Sequence, residues 1–321
     1  MKKKIVIPLI ICSIFLISTN SIKADTEKTS IVCTNSVLAD FTSNLIRENV
    51  TIEYIMPSGA CPSHFDTCPS DIALISSADI IISLGWEPWL SSILESSENT
   101  EVEEIKCIGL GEWSYPTNAK KYVEKIRDEL IFIFPEKNET INKNAQEYIA
   151  EIEETENELL DMVNISGYAD KKVICMEWYN EFIKWLGFNL TYSYGPPEGL
   201  STQDMINITN AAINNDITAI IDNLQSGTEF GASISSESGA SHIIFSNFPG
   251  AVPSTDTYID TIKYNTQQLI NGIKTYEYKK GDIADLEKQL NSLELQRNIA
   301  FFVSLIFIIL SVLFLILYKK K

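Results

Sequence analysis

The sequence predicts an α/β protein with two parallel-sheet lobes joined by one long rigid helix, followed by a C-terminal transmembrane helix. Short β-branched runs alternate with helical patterns in two separate regions, which is typical of parallel sheets. A charged, glycine-free segment of about seven helical turns separates these regions. An apolar run, 299–318, lies near the end of the chain.

The N-terminal lobe is predicted over residues 25–134. Its strands are expected at 30–34, 50–56, 80–84 and 102–108, and its helices near 37–47, 70–78, 88–96 and 118–132. The connecting helix is expected over 135–166, beginning at a proline and ending at Gly167.

The C-terminal lobe is predicted over residues 167–275. Its strands are expected at 172–176, 188–193, 218–222 and 242–245, and its helices near 179–186, 202–214, 229–238 and 257–273. Ser201, with Asp204 three residues later, predicts the N-terminal cap of the second of these helices. Strand-to-loop junctions of both lobes predict a ligand cleft between them.

The two ends of the chain predict export and membrane anchoring. Residues 1–24 have the basic start, apolar stretch and small-residue cleavage site of a signal peptide. Residues 276–298 are predicted to form a stalk, 299–318 a transmembrane helix and 319–321 a lysine tail on the cytoplasmic side. We therefore expect a single-pass protein of the cell membrane with its ectodomain on the extracellular face.

An apolar seam runs along the predicted stalk. Ile283, Leu286, Leu290 and Leu293 repeat at helical spacing. The seam favours a helix that packs on the folded lobes of the same chain or lies at the membrane surface. The alternative is a short coiled coil that pairs two copies of the chain.

Charge and motif content exclude two classes of function. The 321 residues include 43 acidic and 25 basic side chains, a net charge of −18, which would repel nucleic acid. The chain has two histidines and lacks a nucleophile elbow and a glycine-rich phosphate loop, so we expect no enzymatic activity.

A proline- and cysteine-rich loop, 57–71, follows the second predicted strand and contains His64. It resembles the loop that carries a metal-ligating histidine in the zinc- and manganese-type solute-binding proteins of ABC transporters. The likeness extends over residues 29–275. It implies the helical-backbone solute-binding fold, an ABC permease and its ATPase as partners, and a site of three histidines and one carboxylate in the inter-lobe cleft.

This chain keeps one histidine of that ligand pattern, displaced by one residue, and departs from the pattern at the other positions. Ser63 occupies the first histidine's place, with His64 one residue later, and Gly111 occupies the second, next to Glu112. Met176 aligns with the third position and Asn247 with the fourth. The predicted metal donors are His64, Cys61, Cys68, Glu112, Cys175, Met176, Glu177, Asp222 and Asn247.

A transition-metal ion is the predicted cargo. Imidazole and thiolate donors suit zinc, and manganese or another ion is the alternative. Five cysteines remain after export, and Cys61 and Cys68 could pair or stay as thiols. His242 is expected to be a structural residue.

Two other functions stay open. Five tryptophans, together with the polar loops 222–227 and 246–250, leave room for a metal chelate or another small non-ionic ligand bound by stacking; they are Trp86, Trp89, Trp113, Trp178 and Trp185. The alternative from another class is a structural or adhesive surface protein that has lost its cargo.

Overall fold

The computed structural model describes residues 28–319. The predicted signal peptide and the last two residues of the predicted tail lie outside the described residues. The N-terminal lobe contains strands β1 (Thr29–Cys33), β2 (Val50–Tyr54), β3 (Ile80–Ser83) and β4 (Glu103–Lys106) and helices α1 (Ser36–Leu45), α2 (Pro69–Ser76), α3 (Leu90–Ser97) and α4 (Pro116–Ile133).

Helix α5 (Asn138–Ser166) connects the lobes and ends at Gly167, which has a left-handed backbone. The C-terminal lobe contains strands β5 (Lys172–Met176), β6 (Asn189–Tyr194), β7 (Ala219–Asn223) and β8 (Ser241–Phe245) and helices α6 (Asn180–Trp185), α7 (Thr202–Asn214) and α8 (Glu229–Ser238). The last element is α9 (Tyr258–Lys319). The predicted cap is present, since the Ser201 hydroxyl accepts a hydrogen bond from the Asp204 amide.

The two sheets have the same topology, which confirms the predicted pair of parallel lobes. Their strand orders are β2-β1-β3-β4 and β6-β5-β7-β8, and all pairs are parallel. In each sheet the first strand connects to a strand on one side and the third strand connects to a strand on the other side. The loops that follow β1 and β3, or β5 and β7, therefore run in opposite directions and leave a crevice at the carboxyl ends of these strands.

The lobes share one hydrophobic core. Buried residues of both sheets, such as Val32 in β1 and Cys175 in β5, belong to one contiguous cluster. Helix α5 packs on α1, α4 and α9, and α9 also packs on β7 and β8. At the start of α9 the Tyr258 amide donates to Asp40 of α1 at 3.1 Å. A core common to both lobes opposes a wide hinge motion.

Helix α9 corrects the predicted end of the last helix. It continues without interruption past residue 273, where the last helix was expected to end, and past Gly281, as one helix of 62 residues. From residue 278 onward all side chains described are exposed, including Ile283, Leu286 and Leu290. The expectation that the stalk seam packs on its own body is therefore wrong. Beyond the stalk, the apolar part of α9 is long enough to cross a membrane, with a mean hydropathy of 3.2.

Candidate functional site

A cleft of about 520 Å³ lies between the lobes at the carboxyl ends of both sheets. It is lined by the loops that follow seven of the eight strands: Cys61, Pro62 and Ser63 after β2, Trp86 after β3, Cys107 and Gly109–Trp113 after β4, Glu177, Trp178 and Asn180 after β5, Pro196 after β6, Asn223, Gln225 and Ser226 after β7, and Asn247 and Phe248 after β8, with Tyr122 from α4.

The loop between β4 and α4 places Trp113 at the boundary of the lobes. Its Nε1 donates to the Asn247 carbonyl at 2.9 Å, and its ring stacks on Phe248 at 5.6 Å between centroids. Gly111 has φ +85°, and a Cβ there would lie 2.5 Å from Asn118 Nδ2. Only glycine fits this turn without strain.

Hydrogen bonds between neutral groups hold the cleft walls together. The buried Gln225 side chain donates from Nε2 to the Ser58 carbonyl of the other lobe at 2.8 Å, and its Oε1 accepts from the Asn247 amide. Ser36 Oγ donates to the Pro249 carbonyl at 2.8 Å. These contacts fix the relative position of the loops that a ligand would touch.

Glu112 is the partly buried carboxylate of the cleft. Burial raises its pKa to about 7, and neighbouring Glu181 and Glu177 act in the same direction. A hydrogen bond from the Glu181 amide to Glu112 Oε2 at 3.1 Å and the charge of Lys184 oppose the rise. Near neutral pH this group is therefore present in both its protonated and its ionised form.

His64 does not line the cleft. Its side chain is 61% exposed, and its Nε2 lies 3.7 Å from Glu198 Oε1 of the other lobe. The physical reason is the path of the loop: the Cys61 carbonyl accepts a hydrogen bond from the His64 amide in a tight turn, which leaves Ser63 at the cleft and His64 beyond its rim.

The other predicted donors divide into two groups. Cys61, Glu112, Glu177 and Asn247 line the cleft. Cys68 is exposed near Ser70, Cys175 is fully buried beside Asn180, and Met176 is fully buried in a second core cluster on the opposite face of the sheet. Burial raises the pKa of the Cys175 thiol, which disfavours a thiolate ligand there. All five described cysteines are free.

Asp222 belongs to a buried structural cluster. Its carboxylate accepts from the Tyr194 hydroxyl and lies 2.7 Å from His242 Nε2. A Cβ at Gly231 would come within 2.1 Å of Asp222 Oδ2, so the glycine makes room for this carboxylate. These contacts place Asp222 away from the cleft, and they agree with the structural role expected for His242.

The predicted donors therefore do not converge around His64. Within residues 28–319 no group of three His, Cys, Asp or Glu side chains is placed to hold a metal ion. Ser63, Gly111 and Asn247 stand where the resemblance places ligands and do line the cleft, but with small or neutral side chains. The cleft is correspondingly wide.

Aromatic rings line much of the cleft wall. Trp86, Trp113 and Trp178 line the cleft with Tyr122 and Phe248, whereas the other two tryptophans, Trp89 and Trp185, pack elsewhere. The sequence offered the tryptophans as candidates for stacking, but only the fold separates the three that reach the cleft from the two that do not. Tyr122 was not predicted, because it lies within an amphipathic helix like any core residue.

The family model described as "Zinc-uptake complex component A periplasmic" matches residues 31–272, which include both lobes and the cleft. The chain belongs to this family. The match confirms the resemblance read from the loop 57–71.

Several curated members of the family resemble the chain in sequence. The manganese-binding lipoprotein MntA of Halalkalibacterium halodurans is 26% identical over 84% of this chain and 99% of that protein. The iron ABC transporter substrate-binding lipoprotein MtsA of Streptococcus pyogenes is 25% identical over 53% of this chain and 61% of its own length. The zinc-binding lipoprotein AdcA of Streptococcus pneumoniae is 26% identical over 54% of this chain and 39% of that protein. These relatives are named for three different metals, so family membership leaves the cargo open.

Solved structures confirm the fold. The manganese-bound periplasmic metal-binding protein from Candidatus Liberibacter asiaticus superposes with a TM-score of 0.65 at 19% identity, covering 77% of this chain and all of that chain. A structure titled ZnuA gives 0.64 at 18% identity, covering 77% of this chain and 99% of that chain.

Proposed function

We propose that this chain is the extracellular receptor of an ABC importer and that it captures its cargo in the inter-lobe cleft, without catalysis. The observation that carries the proposal is the cleft itself, which takes residues from both lobes in a family of metal-binding receptors. An ABC permease and its ATPase are the partners that accept the cargo.

The cleft supports a cargo larger than a bare ion. Its volume of about 520 Å³ falls in the range that holds small organic molecules. A bare transition-metal ion needs several donors at about 2.0–2.3 Å, and the described residues provide no such group. We therefore propose that the metal arrives as a chelate. Zinc remains the first metal to test, with manganese and iron as alternatives.

Helix α9 is proposed to tether the receptor to the outer face of the membrane. Its apolar part, 299–318, would span a hydrocarbon core of about 30 Å. The stalk, 276–298, which is exposed from residue 278, would add about 35 Å at 1.5 Å per residue. The tether keeps the receptor near its permease, which raises the effective concentration of the receptor at the permease.

A dimer through the stalk is the alternative arrangement. The seam of Ile283, Leu286, Leu290 and Leu293 is exposed and free to pair. Parallel pairing, however, would bring Asp282 of one copy towards Glu287 of the other, and like charges at these positions oppose association. We therefore propose a monomeric receptor, which sedimentation of the full chain in detergent would check.

Filling the cleft tests the function directly. Ser63 is exposed at the cleft wall, so Ser63→Trp should occupy the cavity without disturbing the core. We expect metal that co-purifies with the full chain to fall by about tenfold or more in this variant, since the cargo loses its space. Elemental analysis of detergent-solubilised protein measures this.

Two controls accompany the measurement. Ser92→Trp adds the same ring on the exposed surface of α3 and should leave metal content unchanged. His64→Ala should also leave it unchanged, because His64 lies outside the cleft. Full metal content in Ser63→Trp, or its loss in His64→Ala, would overturn the proposed cleft chemistry. If no purified form carries metal or another ligand, the structural or adhesive role is the better account.

A further inference from the structure

The wall of the cleft presents aromatic ring surface to a ligand and few free hydrogen-bond donors. The indole N–H groups of two of its tryptophans are already used: Trp113 Nε1 donates to the Asn247 carbonyl at 2.9 Å and Trp178 Nε1 to Ser226 Oγ at 3.3 Å. The third, Trp86, is 49% exposed. What these side chains have left for a ligand is the face or edge of the ring, which favours a flat or apolar body.

The polar amides of the wall are largely occupied as well. Gln225 donates to Ser58 and Ser246 and accepts from the Asn247 amide. Asn223 donates from Nδ2 to the Tyr179 hydroxyl and accepts from the Ser226 amide at 2.9 Å. A ligand rich in hydroxyl or carboxylate groups would therefore find few free donors here.

The charged groups of the cleft are all of one sign. Glu112 and Glu177 line it, and no Lys, Arg or His is among the described residues of its wall. The Glu112 side chain accepts one hydrogen bond from the Glu181 amide, and the Glu177 side chain has no hydrogen bond or ion pair with the described residues. Anionic ligands meet repulsion, whereas a cation meets the Glu177 carboxylate, the partly ionised Glu112 and the negative faces of aromatic rings.

We propose that the cleft selects a positively charged ligand with a flat, partly apolar body. Two sources share this chemistry: a cationic complex of a metal with a neutral planar chelator, and a metal-free organic cation. The inference rests on the proposed function, since it assumes that cargo is captured in the cleft. It excludes anionic chelates, such as metal complexes of citrate, as cargo.

Tryptophan fluorescence of the full chain in detergent provides the test. The ligands are the zinc complex of 2,2′-bipyridine, zinc–EDTA as an anionic complex of the same metal, N-methylquinolinium as a metal-free cation, and quinoline as its neutral counterpart. We expect saturable quenching by at least one of the two cations, an affinity about tenfold or more above that of quinoline, and none by zinc–EDTA.

The two cations separate the sources. Tighter binding of the bipyridine complex points to a metal chelate, and tighter binding of N-methylquinolinium points to an organic cation. Either result supports the inference. Quenching by zinc–EDTA, an affinity for quinoline equal to that for the tighter-binding cation, or no quenching by any cation would overturn it. If one of these results is obtained but metal or another ligand co-purifies with the chain, the receptor function stands and only the proposed preference for cations is wrong.

A charge variant links the selectivity to the cleft. Glu177→Gln should weaken cation binding about fivefold or more and change quinoline binding by less than about twofold, because only the attraction to charge is lost. Glu177 is exposed, so the variant should fold. Glu124→Gln removes the same charge from the exposed side of α4 and should bind like the parent. An equal effect of both substitutions would show that net charge, not the cleft carboxylate, attracts the cation, and would overturn the assignment.

Discussion

Gly111 shows at the level of one residue why this cleft is open. The β4–α4 turn gives it a positive φ, and Asn118 occupies the space that a side chain at position 111 would need. A histidine at this position would need both a strained backbone and a displaced Asn118. The wide cleft therefore follows from local geometry and not only from the missing imidazole.

We expect Gly111→Ala to destabilise the fold by about 1–3 kcal/mol, because the turn holds residue 111 in a left-handed backbone that a Cβ disfavours, and that Cβ would meet Asn118 Nδ2. Urea unfolding of the full chain in detergent measures the free energy of unfolding. Gly59→Ala is the control, since a Cβ there meets nothing within 4 Å. Equal stability of the two variants would contradict the geometry described for the β4–α4 turn.

Glu112 gives the fold a pH dependence with a defined sign. Its pKa rises from 4.5 to about 7 on folding because burial disfavours the charged form. The folded state therefore binds the proton more tightly, and the stability that this contributes is complete below about pH 4.5 and decreases as the pH rises through 7.

Glu112→Gln should remove this part of the pH dependence. Between pH 4.5 and 8 the free energy of unfolding should fall less in the variant than in the parent, while Glu124→Gln should follow the parent. Urea titrations at four pH values give the comparison. A parallel loss in Glu112→Gln and the parent would show that the carboxyl group is not buried as described.

Single residues of the site were the least predictable part of the sequence. Loop 57–71 was correctly placed after a strand, but whether Ser63 or His64 faces the cleft depends on one turn hydrogen bond that composition does not reveal. Asp222 was expected at the cleft because it ends a strand, yet the room made by Gly231 and the partners Tyr194 and His242 keep it buried. Such contacts come from distant parts of the chain.

At the level of elements, periodic patterns were sufficient for most of the fold. The strand over 172–176 and the helices over 202–214 and 229–238 have the predicted bounds, because β-branched runs and a capping serine define them locally. The predicted end of the last helix at residue 273 was wrong, although the side chains of this helix stop packing on the lobe close to that point. Gly281 weakens a helix without breaking it, and no proline follows to end α9.

Helix α9 carries a prediction about location. Removal of residues 299–321 should release the protein from the membrane, since the apolar part of α9 is the only candidate span among the described residues. Fractionation of cells into membrane and soluble material tests this. The matched control replaces residues 299–318 with an unrelated apolar sequence of equal length, which should keep the receptor in the membrane. Retention of the truncated chain would point to another anchor.

At the level of the whole molecule, the two lobes form one rigid unit. They repeat one sheet topology, share a core and are bonded across the cleft by Gln225, Ser36 and Trp113. The family membership gives the chain a receptor fold, and the cleft residues decide what that fold accepts. Its aromatic and acidic wall favours a cationic molecule over a coordinated bare ion.

Native mass spectrometry of the full chain, released gently from detergent, tests this account most directly. We predict a bound species heavier than a zinc, manganese or iron ion, present in the parent and absent from Ser63→Trp. A parent chain that carries only the mass of one metal ion would contradict the central claim, because the described cleft would then be holding the bare ion for which it shows no ligand set.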